Sequence, residues 1–227
     1  MNVRAWRGQS AIEFQIIAVL VLFPLLMGLV QMGLLVVSTY TLNAAAMAAA
    51  RAGAASGGDK AAMQSALDIG LAPLQASATK AFPGLGMTDI SGGIGGNDTT
   101  VTGDALLVSK GLNGQFSEMT VLNPTDASFN DFGVKTRLGT VIPVTDVHDS
   151  GAVGNQSRQT RADSLQLKIE VKYCEELVIP IINDIMRAFL APGGSKQANA
   201  CYLAGRVQLT SQAVVRMTVA PIREKLL

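Results

Sequence analysis

Few residues in this chain combine a reactive type with a telling spacing. Gly8 is followed five positions later by Glu13, a carboxylate at the edge of a long apolar run. Burying an acid in lipid is costly unless it is paired, so a chain keeps one there only for a reason. Asp146, His148 and Asp149 stand together in DVHDS and could touch a metal. One triplet fixes no coordination geometry, however, and a polar surface turn is the preferred reading. Gly92, Gly93, Gly95 and Gly96 imitate a phosphate loop, but no Gly-Lys-Ser/Thr follows and Rossmann spacing is absent. Asp89, Asp98 and Asp104 could support Ca²⁺, though not with the spacing of an EF-hand loop. Cys174 and Cys201 form no C-x-x-C pair, and there is no Gly-x-Ser-x-Gly elbow. One histidine and two cysteines are too few for an all-protein structural zinc site. With no nucleophile–base pair, paired-acid signature or cofactor loop, the reading is non-catalytic, without cofactor or metal, although active sites assemble in three dimensions.

The elements that must carry these residues follow from composition. The chain has 227 residues, 48% hydrophobic and 15% charged, with mean hydropathy +0.32. Soluble domains carry about 25% charge, and disordered chains combine low apolarity with high charge, so both classes are disfavoured. The formal charge of +1 gives no basic field for nucleic acid. The excess apolarity has an address. Residues 14 to 50 contain no Asp, Glu, Lys or Arg, and Ile16 to Val37 is long enough as a helix to cross a bilayer core of about 30 Å. A cleaved secretory signal is the rival reading, with Ala44 to Ala46 as its cleavage mimic, but signal apolar regions are usually shorter. Arg4 and Arg7 before the run favour a cytoplasmic N-terminus and place the chain from about residue 52 outside the cytoplasm.

The helix is expected to continue past the membrane through the Ala-rich stretch 38–55, ending at Gly57-Gly58. Pro24 should kink or locally open it. The small-residue face should let other helices approach closely, as in a bundle; an isolated stalk is the alternative.

In GQSAIEF (Gly8 to Phe14) the chain resembles the processing site of type IV pilins. More specifically, this phrase, the Pro-interrupted apolar helix behind it and LNAAAMAAARAGA (Leu42 to Ala54) resemble the TadE-like proteins, minor pilins or pseudopilins of tight-adherence pili. The resemblance covers about the first 55 residues. A weaker likeness reaches LQLKIEVKYCEELVIP, Cys201-Tyr202 and VVRMTVAP.

The resemblance implies a leader, residues 1–8, cut after Gly8 by a prepilin peptidase, so that Gln9 becomes the first mature residue. Gln9 departs from the Phe common in type IV pilins, which bears on methylation more than on cleavage. It implies an assembly role for Glu13 and Phe14, with residues 9–55 as transmembrane and assembly helix. The partners implied are the peptidase, other pilus subunits, the inner-membrane assembly platform and the lipid bilayer, with no nucleic acid. The location implied is the bacterial inner membrane, single-pass, with the domain 56–227 periplasmic and incorporation into an extracellular pilus open. Two other readings stand beside this one: a permanently anchored envelope protein whose outer domain binds a ligand or partner, and an envelope enzyme without a recognised motif.

Beyond the helix the pattern predicts an α+β domain with antiparallel sheet. Asp59 could cap a helix carrying Met63, Leu67, Leu71 and Leu74 on one side, with Gly70 and Pro73 arguing against one unbroken element. Ala105 to Val108 and Met119 to Leu122 could be strands, Asn123-Pro124 makes a turn, and residues 136–147 read as a strand that Pro143 ends. Residues 149–163 look polar and exposed. The clearest strand is Leu165 to Tyr173, in which Leu165, Leu167, Ile169, Val171 and Tyr173 share one face. Residues 175–190 read as a helix interrupted near Pro180, packed on the sheet or lying against a membrane surface or subunit. Val207 to Val219 alternates again. Beyond the membrane, Cys174 and Cys201 are permitted one disulfide; its closure would stabilise by roughly 3.6 kcal/mol. A reduced buried pair is the alternative.

Overall fold

The computed structural model describes residues 9–79, 117–144, 151–177, 201–202 and 206–226. Helix α1 (Gln9–Ile17) runs through a π-helical turn (Ala18–Leu22) into α2 (Phe23–Ser56). The π turn falls just before Pro24, where a missing N–H and a ring clash with the carbonyl four residues back disturb an α-helix. Widening the preceding turn, with the Phe23 N–H donating to the Ala18 carbonyl, accommodates the ring without ending the helix. From Ile12 to Ser56 this is one helix long and apolar enough to cross a membrane.

The remaining elements are α3 (Lys60–Thr79), β1 (Ser117–Asn123), α4 (Asp126–Phe132), β2 (Val134–Thr136), β3 (Gly139–Val141), α5 (Arg161–Ser164), β4 (Gln166–Glu176), β5 (Arg206–Arg216) and α6 (Arg223–Leu226). One sheet has the order β1-β4-β5, with β1 antiparallel to β4; β2 and β3 form a separate antiparallel hairpin. The architecture is α+β, a long apolar helix followed by antiparallel sheets and helices. Two compact units emerge: Met1–Ser38 with Cys174–Gln208, and Thr39–Tyr173 with Leu209–Leu227.

The second unit holds the main core. Leu167, Ile169, Val171 and Tyr173 of β4 are buried, while Gln166 faces out. This period of two is what a sheet with one wet face requires. Against them lie Leu42, Ala45, Ala46, Ala49, Ala50 and Ala54 of α2 and Met63, Leu67, Leu71 and Leu74 of α3. Half of the small-residue run is therefore covered by the chain's own domain rather than left for other helices; Ala44, Met47, Ala48 and Arg51 form the bare side. Small residues are used here for close approach. A Cβ on Gly70 would sit 2.6 Å from the Ala45 Cβ and 2.7 Å from its Cα. α3 thus needs Gly70, and it continues through Pro73 because the carbonyl that Pro73 leaves unbonded belongs to Ile69, on the exposed side. Asp59 caps α3 by accepting from the Ala61 N–H at 3.1 Å.

The C-terminus of α2 is closed by Gly57 and Gly58, both at positive φ, with the Gly58 N–H donating to the Gly53 carbonyl at 2.9 Å. The next free carbonyl, Ala54, accepts from the N–H groups of Thr218 and Val219 and from the Thr218 hydroxyl. The end of the chain therefore satisfies the end of the helix.

A smaller cluster of Phe129, Ile142 and Leu165 seats α4 and the hairpin. The expected strand over 136–147 is instead this hairpin: Gly139, at φ +117°, lets the chain reverse after Thr136, and Pro143 follows β3. Residues 175–190 are not one helix, because Glu175 and Glu176 finish β4. The rest of that expected helix, the strand over Ala105–Val108 and the glycine-rich stretch lie outside the described residues.

Candidate functional site

The residues singled out by sequence fall into two places. At the N-terminus, Gln9 opens α1, and positions 9 and 13 are one helical turn apart. Glu13 is exposed on the helix surface, and among the described residues no hydrogen-bond or ion-pair partner reaches its side chain. Phe14 beside it is 71% exposed. From there to Val37 the large apolar side chains are mostly bare, which is what a segment solvated by lipid or by other helices requires. Gly8 lies outside the described residues, as do Asp89, Asp98, Asp104, Asp146, His148 and Asp149. No group of three or more His, Cys, Asp or Glu able to hold a metal occurs among the described residues.

The second place is the end of β4. Cys174 and Cys201 form a disulfide with Cα atoms 5.6 Å apart. Arg206 donates to the Cys174 carbonyl at 3.2 Å and pairs with Glu176 at 3.2 Å. The adjacent Glu175 accepts a 2.9 Å hydrogen bond from the Ser38 hydroxyl on α2. Burial pushes the Glu175 carboxyl above its ordinary value, opposed by the Ser38 bond and the positive charge of Arg206. Sequence reasoning missed Ser38 and Glu175, and Gln31 with them. The available signal was the seven-residue spacing of Gln31 and Ser38 in an apolar helix, which puts both on one face.

Among the described residues there is one membrane-type helix, with Glu13 near its start, followed by α+β structure, and one disulfide closes the end of β4. Residues 8–51 match the family of TadE-like proteins. The match begins at Gly8, takes in Gln9, Glu13, Phe14 and Pro24, and ends at Arg51, so it covers most of the N-terminal helix and none of the elements after it. The segment is TadE-like and points to a Tad pilus-related protein. No curated protein and no solved structure matches the chain significantly.

Proposed function

We propose that the chain is a non-catalytic minor pilin, or pseudopilin, that acts in assembly of a Tad-type pilus used for surface attachment. The observation that carries this reading is the TadE-like match over residues 8–51, laid on a helix whose large apolar side chains are mostly exposed from Phe14 to Val37, with Glu13 just before them. In this reading a prepilin peptidase cuts after Gly8. Cleavage removes Arg4 and Arg7, the charges that hold the leader on the cytoplasmic side, and shifts the formal charge from +1 to −1. It also creates an α-amino group at Gln9. That cation could pair with Glu13 of a neighbouring subunit, offsetting the cost of an acid in lipid and setting the register of assembly. Other pilus subunits and the inner-membrane platform are then the partners, and the domain lies in the periplasm.

The test is the intact mass of the N-terminus in cells with and without the cognate peptidase. A chain beginning at Gln9 only when the peptidase is present supports the proposal. Retention of Met1 to Gly8 beside an active peptidase would leave a permanently anchored envelope protein, and a start near residue 47 would mean ordinary signal removal.

A further inference from the structure

Leu138 is 75% exposed, more than any leucine, valine or phenylalanine of the membrane-type helix. It stands with Arg137 at the turn of the β2–β3 hairpin, and Val134 and Lys135 of β2 are exposed as well. The tip is held rigidly. Across the turn the Thr136 hydroxyl donates to the Gly139 carbonyl at 2.8 Å, and the Thr140 N–H donates to the Glu224 carboxylate of α6 at 3.1 Å. Val141 bridges to Ile222, and the buried Ile142 packs with Phe129 and Leu165. Positive charge prevails on this corner. Lys135, Arg137 and Lys225 are exposed and enter no ion pair among the described residues, while Arg223 is matched by Asp126 at 2.6 Å. Glu224 is the sole carboxylate within the hairpin and α6.

The segment leading into α6 fixes where this corner lies. The Ile222 N–H donates to the Gly57 carbonyl at 3.0 Å, which ties it to the far end of α2. Thr39 is two residues past Val37, the end of the stretch that fills a bilayer core. From Thr39 to Ser56 the helix runs about 26 Å. A strand of three residues spans about 10 Å, too little to return the tip to the lipid that anchors the chain.

We propose that this tip docks on an anionic phospholipid surface other than the bilayer that anchors the chain. Leu138 enters the headgroup–acyl boundary, and Lys135 and Arg137 lie on the headgroup phosphates. Basic side chains are drawn to an anionic leaflet, and a guanidinium takes a phosphate through two parallel hydrogen bonds. A convex turn with one leucine falls far short of the about 800 Å² that a stable protein interface buries on each side. A headgroup layer accepts a single side chain without a matching groove. Binding through one tip is weak and gains from several copies on one surface. The inference rests on the helix spanning a bilayer and not on any role in a pilus.

The test uses the full chain in phosphatidylcholine nanodiscs, with empty discs as the blank. The discs are mixed with vesicles of phosphatidylcholine alone or of an equal mixture with phosphatidylglycerol, and co-flotation is measured. The loaded discs should float severalfold more with the anionic vesicles, and high salt should remove the excess. Arg137→Glu should bring it to the blank, and Leu138→Ser should lower it severalfold with the charge unchanged. Arg51→Glu, the same charge change on the bare side of α2, should leave it nearly intact. The native cysteines are paired, so a fluorophore on Leu138→Cys labels the tip alone; brominated lipid in the anionic vesicles should quench it. Near-ultraviolet circular dichroism equal to the parent's establishes that each variant is folded. No flotation above the blank would overturn the proposal and leave the tip to a protein partner. Equal losses in Arg51→Glu and Arg137→Glu would also overturn it, since net charge alone would then bind. So would full binding by Leu138→Ser with an unquenched label, because nothing would enter the lipid.

Discussion

At the scale of one residue, Glu13 is the position whose cost most needs explaining. It stands exposed on α1 at the start of a bare apolar helix. A carboxylate in the middle of a membrane helix costs about 2.5–3.5 kcal/mol on insertion scales, less near the edge. Glu13→Ala removes that cost, so the variant should enter membranes at least as well as the parent. We expect it to be processed at Gly8 and to accumulate in the membrane fraction while pilus yield falls severely. The measurement is pilus yield beside membrane content and N-terminal mass. Normal yield from a processed Glu13→Ala chain would remove the assembly role. Glu13 and its neighbours stand out in the sequence because they are close together and flanked by a long unambiguous pattern. The Ser38–Glu175 contact was not legible, since its partners are separated by 137 positions and each is an ordinary polar residue in its own context.

At the scale of elements, local periodicity specified most of what is seen. The alternation from Leu167 to Tyr173 gave the buried face of β4, while Leu165, expected on the same face, precedes the strand and packs with Phe129 and Ile142; Met63, Leu67, Leu71 and Leu74 gave the buried face of α3. Punctuation was the weaker guide: Gly70 and Pro73 look like breaks, yet Gly70 serves contact with Ala45 and Pro73 lies on the exposed side. Nor did the polar stretch 149–163 reveal that it is fastened. There the Asp131 carboxylate on α4 accepts from the backbone N–H groups of Ser157 at 2.7 Å and Gln156 at 3.0 Å. The Ser157 N–H, more than any other partner, holds the Asp131 pKa below its ordinary 3.8. A depressed folded value means that the clamp is at full strength above the ordinary carboxylate range and is lost as pH falls through the folded value. Protection of the Gln156 and Ser157 amides from hydrogen exchange should therefore drop in acid. Asp131→Asn should lower it at neutral pH and abolish its dependence on acid. Protection that ignores both pH and substitution would mean that the loop is held by its other bonds, Ser128 to Gln159 and Asn130 to Gln156.

At the scale of the whole molecule, the fold class followed from summing these patterns, but the order β1-β4-β5 did not. Strand order is set by contacts between distant segments: β1 meets β4 through pairs such as Met119 with Val171. The covalent link between Cys174 and Cys201 acts at the same range, joining the end of β4 to a point 27 residues on. A cross-link of this span restricts the unfolded chain, and the chain-entropy relation gives about 3.6 kcal/mol of stability. That is a large share of the 5–15 kcal/mol by which domains are typically stable. The double variant Cys174→Ser/Cys201→Ser should therefore unfold at markedly lower urea concentration in detergent, and the parent chain under reducing conditions should behave like it. The loss should centre on the bond's own unit, because Arg206 donates to the Cys174 carbonyl and Glu175 follows directly in β4. Hydrogen exchange should consequently quicken first at residues 174–177. The Leu167–Val171 stretch of β4, packed on the alanines of α2, should keep its protection until global unfolding. An unchanged urea midpoint in the double variant would show that packing and the Arg206 contacts, rather than the cross-link, hold the end of β4.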